Sequence, residues 1–256
     1  MRLAGEKALV TGSTAGIGVA IARRFAAEGA AVVVHGRDRD RAEAIVTDIR
    51  AAGGTAEAVL VDLATDDPAG LVEQAAAALG GLTVLVNNAV ASTVDEADGP
   101  VGAITDAAWD ATLRVNLTAP MALSRAAIPH LLAAGHGSVI NISSRQAERA
   151  SKGYTAYVAS KAGLNGLTRA IAVDYAADNI RANTISPGYV INTRRDADLT
   201  DERRARLEAM HLTRLGEAED IAYAAVYLAS HESEYLTGSN LALDGGGSIA
   251  RGAVLG

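Results

Sequence analysis

The octet YTAYVASK, residues 154 to 161, places a tyrosine four residues before a lysine. Positions i and i+4 lie on one face of a helix, so Tyr157 and Lys161 would project side by side. A free phenol has a pKa near ~10 and is a poor base at neutral pH, but a neighbouring cation favours its phenolate form. The pair could therefore exchange a proton with a carbonyl or alcohol oxygen. Taken alone, the same spacing is more often a half-buried core tyrosine followed by a solvated lysine.

Ser144 gives the tyrosine a possible partner. It precedes Tyr157 by thirteen residues and follows an apolar run, 138–142, that predicts a strand. Doubly wound folds bind ligands at the carboxyl ends of their strands, where the serine hydroxyl could orient and polarise the substrate oxygen. Tyr154, one turn before Tyr157, is interpreted as part of the substrate pocket wall rather than as the proton donor.

A glycine-rich turn, TGSTAGIG at residues 11–18, follows the first apolar run and leads directly into a helical pattern. This arrangement points backbone N–H groups and the positive end of a helix dipole toward a pyrophosphate. The glycine spacing is wider than G-x-G-x-x-G, and no Gly-Lys-Ser/Thr follows, which argues against a nucleoside-triphosphate loop. An ordinary tight turn is the alternative for the motif in isolation. The loop residues predicted to bind the cofactor are Gly12, Ser13, Gly16, Ile17 and Gly18.

The second predicted strand ends in His-Gly-Arg-Asp, where an acidic residue would accept hydrogen bonds from a ribose 2'-hydroxyl. Gly36 stands where that carboxylate would be expected, and Arg37 follows it. An arginine fork suits a 2'-phosphate, so the sequence favours NADP(H) over NAD(H). In the alternative, Arg37 begins a solvated helix of alternating charge and Asp38 reaches the ribose.

Short β-branched runs alternate with alanine-rich helical patterns along the chain. The predicted strands are 8–11, 31–35, 57–61, 84–86, 138–142 and 181–185, and the predicted helices are 16–28, 39–52, 68–79, 106–132 and 155–175. This rhythm predicts an α/β fold, a doubly wound Rossmann-type parallel sheet flanked by helices. No linker or repeat divides the chain, so we expect a single dinucleotide-binding catalytic domain over residues 1–256. The charged segment 189–212 interrupts the alternation of strands and helices and is either a substrate-covering lid or a polar surface helix.

Composition restricts the function. The chain has 256 residues, 49% of them hydrophobic, and a net charge of -7 that argues against nucleic acid or an anionic membrane as partner. Cysteine is absent and the five histidines have no close ligand spacing, so we expect no metal site. The N-terminus shows no signal-peptide pattern. A cytoplasmic protein acting on a small molecule is the expectation.

The whole pattern resembles the single-domain branch of the short-chain dehydrogenase/reductase family, with its TGxxxGxG and YxxxK motifs. In chain order the matching residues are Thr11-Gly12-x-x-x-Gly16-Ile17-Gly18, Asp62-Leu63, Asn87-Asn88-Ala89, Asn116, Ser143-Ser144, Tyr157-x-x-x-Lys161, Pro187-Gly188 with Thr193, Arg214-Leu215-Gly216, Asp220-Ile221-Ala222, Thr237-Gly238 and Asp244-Gly245-Gly246. The match covers nearly the whole chain. One departure is Val90, where the family usually has glycine.

The resemblance implies an NAD(P)-dependent oxidoreductase that assembles as a homotetramer or homodimer. It assigns catalysis to Asn116, Ser144, Tyr157 and Lys161. In this scheme Lys161 also holds the nicotinamide ribose, and Asn116 positions a water that relays protons to Lys161. Further implied cofactor-binding residues, besides Tyr157 and Lys161 themselves, are Asp62, Leu63, Asn88, Ala89, Pro187, Gly188 and Thr193.

The substrate is left open by the sequence. Predicted pocket residues, judged by their nearness to the motifs, are Val90, Gln146, Arg149, Tyr154 and Tyr189. Arg145 and Arg149 suggest an anionic substrate, although surface arginines are the commoner explanation. A 3-oxoacyl thioester, a sugar, a steroid or a small ketone all fit. Rival functions are an NAD-dependent alcohol dehydrogenase, a non-catalytic dinucleotide-binding regulator and a methyltransferase that uses S-adenosylmethionine.

Overall fold

Apolar runs of the sequence form the strands of one parallel sheet. The computed structural model describes residues 1–91, 97–192 and 196–249. The strand order is β3-β2-β1-β4-β5-β6-β7. The strands are β1 Lys7–Val10, β2 Ala31–Gly36, β3 Thr55–Leu60, β4 Val84–Asn87, β5 Gly137–Ile142, β6 Ile180–Pro187 and β7 Asn240–Leu243. The predicted doubly wound sheet is confirmed, and its strand order reverses between β1 and β4, which opens a crevice at their carboxyl ends.

Helices cover both faces of the sheet. They are α1 Gly16–Ala27, α2 Arg39–Ala51, α3 Pro68–Leu79, α4 Asp106–Leu113, α5 Ala119–Ala134, α6 Thr155–Tyr175, α7 Asp201–Glu208 and α8 Ala218–Ala229. One apolar core packs α1, α2 and α8 against strand residues such as Val32 and Val34. The other packs α3, α5 and α6 against Leu9, Val33 and Leu85. Alternate residues of β2 thus enter opposite cores, which explains why its run AVVV has no polar position.

The predicted continuous helix over 106–132 is wrong at its centre. A π-helical turn, Arg114–Thr118, separates α4 from α5. Such a turn accommodates an extra residue within a helix and often lies at a functional site. It carries Asn116, whose side chain is fully buried. Helical periodicity alone could not reveal the turn, because the flanking residues follow the ordinary pattern on either side.

The segment 189–212, predicted as a lid or a polar surface helix, contains α7, which has no buried residue. His211 connects the two ends of the segment, because its Nδ1 donates to the Leu207 carbonyl at 2.8 Å and its Nε2 accepts from the Tyr189 N–H at 3.2 Å. Residues 193–195 lie outside the described ranges, so closure over a substrate stays a prediction. None of the described helices has both the length and the apolar character needed to cross a bilayer.

Candidate active site

Tyr157 and Lys161 lie on the first turns of α6, beside the carboxyl end of β5. The Lys161 Nζ is 5.7 Å from the centroid of the Tyr157 ring. The lysine side chain is buried, and its Nζ donates to the Ile142 carbonyl at 2.8 Å. Burial lowers the pKa of Lys161 to about 8 by desolvating the ammonium. The residue is therefore not a solvated surface lysine, and at neutral pH it places a poorly hydrated cation next to a phenol.

Ser144 is the residue at which β5 gives way to a short turn over Arg145–Ala147. Its side chain is buried, and its Oγ accepts the Gln146 N–H at 3.1 Å. The preceding Ser143 donates its hydroxyl to the Lys161 carbonyl at 3.2 Å. Ser143 thus holds the strand end against α6, while Ser144 holds the following turn; the contact of the Ser144 hydroxyl with a substrate oxygen stays a prediction.

Asn116 joins the segment after β4 to the helix that carries Tyr157. Its Oδ1 accepts the Ala91 N–H at 2.8 Å, and its Nδ2 donates to Ser160 Oγ at 3.3 Å. The Ser160 hydroxyl in turn donates to the Tyr157 carbonyl at 2.7 Å. The side chain of Asn116 is therefore used in holding the backbone, and the proton-relay role implied by the resemblance stays a prediction.

The glycine-rich loop has the shape of an anion cradle. Gly12 and Gly16 have φ values of +64° and +55°, which favour glycine. A Cβ at Gly12 would lie 2.9 Å from Ala89 Cα, so the loop also packs too closely for a side chain there. The N-cap residue of α1, Ala15, offers no side-chain acceptor, and the first turn carries no acidic residue. These first-turn N–H groups fit a cofactor pyrophosphate.

Two loop residues bond within the protein rather than facing outward. The Ser13 hydroxyl is buried, donates to the Val10 carbonyl at 2.7 Å and accepts the His35 N–H at 2.9 Å. The N–H of Ser13 donates to the His35 carbonyl at 2.9 Å, so this residue ties the loop to β2. The Asn88 amide donates to the carbonyls of Thr11 and Gly12 at 2.8 and 3.1 Å. Both side chains shape the loop, and the predicted binding of these two residues to the cofactor stays a prediction.

His35 is a loop-holding residue that the sequence analysis did not identify. Its Nδ1 accepts the Gly12 N–H at 3.0 Å and its Nε2 donates to the Val61 carbonyl at 3.0 Å. Burial lowers its pKa to about 4, which keeps the ring neutral in this tautomer. No sequence signal marks it, because its partners lie in the loop after β1 and just after β3, both distant from it in sequence.

At the end of β2, Arg37 is exposed, and its guanidinium is 3.4 Å from an oxygen of Asp62. Asp38 is the N-cap of α2, since it accepts the Arg41 N–H at 3.1 Å, and it also pairs with the Arg41 guanidinium at 3.0 Å. The alternative in which Asp38 turns to a ribose would cost α2 this cap.

The remaining predicted residues lie around the same crevice. Leu63 is buried after β3, Pro187 ends β6 with Gly188 after it, and Thr193 is outside the described residues. Of the predicted substrate residues, Val90 is exposed, and Tyr154 packs edge-on against Tyr157 at a centroid distance of 6.2 Å.

The other residues predicted to bind the substrate differ in the hydrogen bonds that they make within the protein. Tyr189 donates its hydroxyl to Asp196 at 2.7 Å within the charged segment. Arg149 donates to the Gly247 carbonyl at 2.7 Å. Gln146 has a buried Oε1 that accepts no hydrogen bond. In the part of the chain that the structure describes, no group of three His, Asp or Glu side chains could hold a metal ion.

Comparisons with known proteins agree with this arrangement. A family model described as enoyl-(acyl carrier protein) reductase matches residues 12–248. Human dehydrogenase/reductase SDR family member 4 is 35% identical over 247 residues, covering 95% of this chain and 88% of the relative. Cis-4-hydroxycyclohexanecarboxylate dehydrogenase of Sinomonas cyclohexanicum is 38% identical over 241 residues, covering 93% and 95% of the two chains.

Solved structures extend the match to three dimensions. A gluconate 5-dehydrogenase from Burkholderia cenocepacia, crystallised with NADP and tartrate, superposes with a TM-score of 0.89 at 32% identity and covers 98% of each chain. The resemblance of the sequence is thereby confirmed at the level of family and fold. The chain belongs to the short-chain dehydrogenase/reductase family of NAD(P)-dependent oxidoreductases.

Proposed function

We propose that this chain is an NADP(H)-dependent oxidoreductase that interconverts a carbonyl and a secondary alcohol, with Tyr157 as proton donor and acceptor. One observation carries the proposal: the Lys161 ammonium is buried 5.7 Å from the centroid of the Tyr157 ring. Desolvating a lysine is costly and needs a compensating reason. A cation beside the phenol supplies one, because it stabilises the phenolate that forms when Tyr157 gives up its proton.

Each residue of the site has its own role in the proposed reaction. Bound NADP(H) would supply or accept the hydride. In reduction, Tyr157 protonates the substrate oxygen while Lys161 stabilises the resulting phenolate; in oxidation, the phenolate removes the alcohol proton. The Ser144 hydroxyl donates to the same oxygen and fixes its direction. Asn116 keeps the segment at Ala91 in contact with α6, so that the parts of the site stay together.

The preference for NADP(H) is supported by the end of β2. Arg37 is exposed there and makes only a long ion pair with Asp62, so its guanidinium can turn to a 2'-phosphate. Asp38, the residue that would favour NAD(H), is used as the cap of α2. NADP is also the cofactor named for the Burkholderia relative.

A carboxylate-bearing substrate is supported by Arg145, the residue after Ser144. Its guanidinium is half-buried, contacts Met210 Sδ at 3.8 Å, and has no carboxylate within ion-pairing distance among the described residues. Burial and the nearby Arg149 lower the pKa of Arg145, while the Asp244 carboxylate opposes this. Both oxygens of Asp244 already accept backbone N–H groups of the turn after β7.

Arg145 therefore places a positive charge one residue after Ser144, where it could meet a substrate carboxylate. The names of two relatives, for gluconate and for a hydroxycyclohexanecarboxylate, are in keeping with a hydroxy acid. A 3-oxoacyl thioester is the other substrate class for this site.

The segment 189–212 is proposed as the cover of the pocket. Residues 1–256 are proposed to form one catalytic domain, which assembles as a homotetramer or homodimer.

The experiment compares two phenylalanine variants on one helix. With a panel of ketones, oxo acids and their alcohols, Tyr157→Phe should lower kcat by roughly a thousandfold while NADPH still binds. Tyr154→Phe, its neighbour at 6.2 Å, should change kcat by less than about tenfold. The reverse ranking would overturn the assignment. NADPH binding without turnover across the whole panel would favour the non-catalytic regulator instead.

A further inference from the structure

The helix α6 carries both Tyr157 and Lys161, yet it lacks an N-terminal cap of its own. The first N–H groups of any helix have no partner within the helix and need acceptors from elsewhere. Its N-cap residue, Tyr154, makes no side-chain capping bond. Other helices use a residue at their own start: Asp67 caps α3 by accepting the Ala69 N–H at 3.1 Å, and Thr105 caps α4 by accepting the Ala108 N–H at 3.2 Å.

Asp98, far upstream in the chain, supplies the missing acceptors. Its Oδ2 accepts the N–H of Tyr157 itself at 2.8 Å, and its Oδ1 accepts the Ala156 N–H at 3.0 Å. The Oδ1 also accepts the N–H of Gly99 at 2.9 Å, which fixes the carboxylate to its own backbone. Both oxygens are therefore used, and a negative charge stands at the positive end of the α6 dipole.

The bonds of Asp98 form the second of two ties between the connection after β4 and α6. The first runs from Ala91 through Asn116 and Ser160 to the Tyr157 carbonyl. Together the two ties hold the Tyr157 peptide units on both sides of its Cα. The start of the same connection, Asn88, is bonded to the glycine-rich loop. Tyr157 is thus located relative to the cofactor loop by hydrogen bonds as well as by apolar packing.

We propose that Asp98 is a positioning residue for catalysis. Its carboxylate sets the position of the first turn of α6 along the helix axis and the rotation of that turn about the axis. It therefore determines where the Tyr157 phenol meets the substrate oxygen. The inference rests on the proposed role of Tyr157. Proton transfer requires heavy atoms about 2.6–3.2 Å apart, and a displacement of about 1 Å can cost a hundredfold in rate. A capping residue that bonds directly to the backbone of the proton donor controls such a displacement.

A carboxylate is required because two amides of the helix must be bound by two oxygens. Asparagine has one carbonyl oxygen, and its NH2 group would face one of the two N–H donors. Asp98→Asn should therefore lower kcat by about tenfold and Asp98→Ala by about a hundredfold. The dissociation constant for NADPH should stay within about twofold, because the pyrophosphate cradle is held through Gly12 and α1. Kd is measured by nicotinamide fluorescence and kcat on the best substrate of the panel.

The matched control is Asp67→Ala, which removes the same kind of cap from α3, a helix that carries no candidate site residue. It should lower the melting temperature about as much as Asp98→Ala while leaving kcat unchanged. Rescue is tested with Asp98→Glu, whose two oxygens should restore part of the kcat that Asp98→Ala loses. An Asp98→Ala variant with wild-type kcat, or one that loses NADPH affinity and kcat in equal measure, would overturn the proposal.

Amide hydrogen exchange separates this proposal from the proposed function. In Asp98→Ala the N–H groups of Ala156 and Tyr157 should lose protection, and unchanged exchange at both would refute the cap regardless of activity. Absence of turnover in the wild-type protein would refute the proposed function instead, and with it the catalytic meaning of the cap.

Discussion

Replacing Lys161 by methionine should abolish turnover and yet stabilise the folded chain at neutral pH. The side chain of Lys161 is 3% exposed, and desolvation lowers its pKa from 10.5 to about 8. At about 1.4 kcal/mol for each pH unit, holding the charged lysine in this site costs the fold about 3 kcal/mol. Methionine is unbranched and of similar length, so it removes the charge without opening a large cavity.

The stabilisation is partly offset and depends on pH. The variant loses the bond from Nζ to the Ile142 carbonyl and leaves that oxygen unpaired, at a cost of about 2 kcal/mol, so the net gain at pH 7 is about 1 kcal/mol. The unfolded chain keeps the lysine protonated up to its ordinary pKa of 10.5, whereas the folded chain releases the proton near pH 8. Because the unfolded state binds more protons in this window, the stability of the wild type rises with pH from about 8 to 10.5.

The assay is urea unfolding at several pH values between 7 and 10.5. Both proteins should carry Tyr157→Phe, so that titration of the phenol does not contribute. The difference in unfolding free energy between variant and parent should fall by about 3 kcal/mol across the window and change sign. A difference that does not vary with pH would refute the idea that Lys161 is held as a desolvated cation.

Two further predictions concern the cofactor end of the site. Because burial lowers the pKa of His35 from 6.5 to about 4, the unfolded chain takes up the proton first, and about 3 kcal/mol of stability should be lost as pH falls from 6.5 to 4. His35→Asn, which keeps an acceptor for the Gly12 N–H, should remove most of this loss in urea titrations; an unchanged pH dependence would point to other groups. Arg37→Ala should raise the KM for NADPH about tenfold and leave that for NADH unchanged. An unaltered ratio of the two constants would exclude Arg37 from cofactor selection.

Much of the fold was accessible from the sequence because its strongest signals are local. The run Ala31 to Val34 has no polar residue, and the structure buries alternate members in opposite cores. The helix predicted over 68–79 is found with the same bounds as α3, and Asp67 caps it. The strand at 240–243 was not predicted, because it is four residues long, has no fully buried residue and is defined by its pairing with β6, which is distant in sequence.

The supports of the candidate site were less accessible, because they join residues that are distant in sequence. Tyr157 and Lys161 could be found from a four-residue spacing. The bonds of Asp98 to α6 and of His35 to Gly12 depend on how loops and strands meet after folding. Asn116 was found through the resemblance, yet its contact with Ala91 required the π-helical turn that no propensity indicates.

The π-helical turn Arg114–Thr118 also fixes how many residues the chain can have between α4 and α5. A residue added to or removed from a surface loop is usually absorbed by the loop. Removing one residue between 114 and 118 would instead allow ordinary helical pairing, and each residue of an α-helix turns the chain by about 100°. The helix before the deletion would then face a different direction from the helix after it. The number of residues between 114 and 118 is therefore a structural requirement in itself, apart from the side chains that stand there.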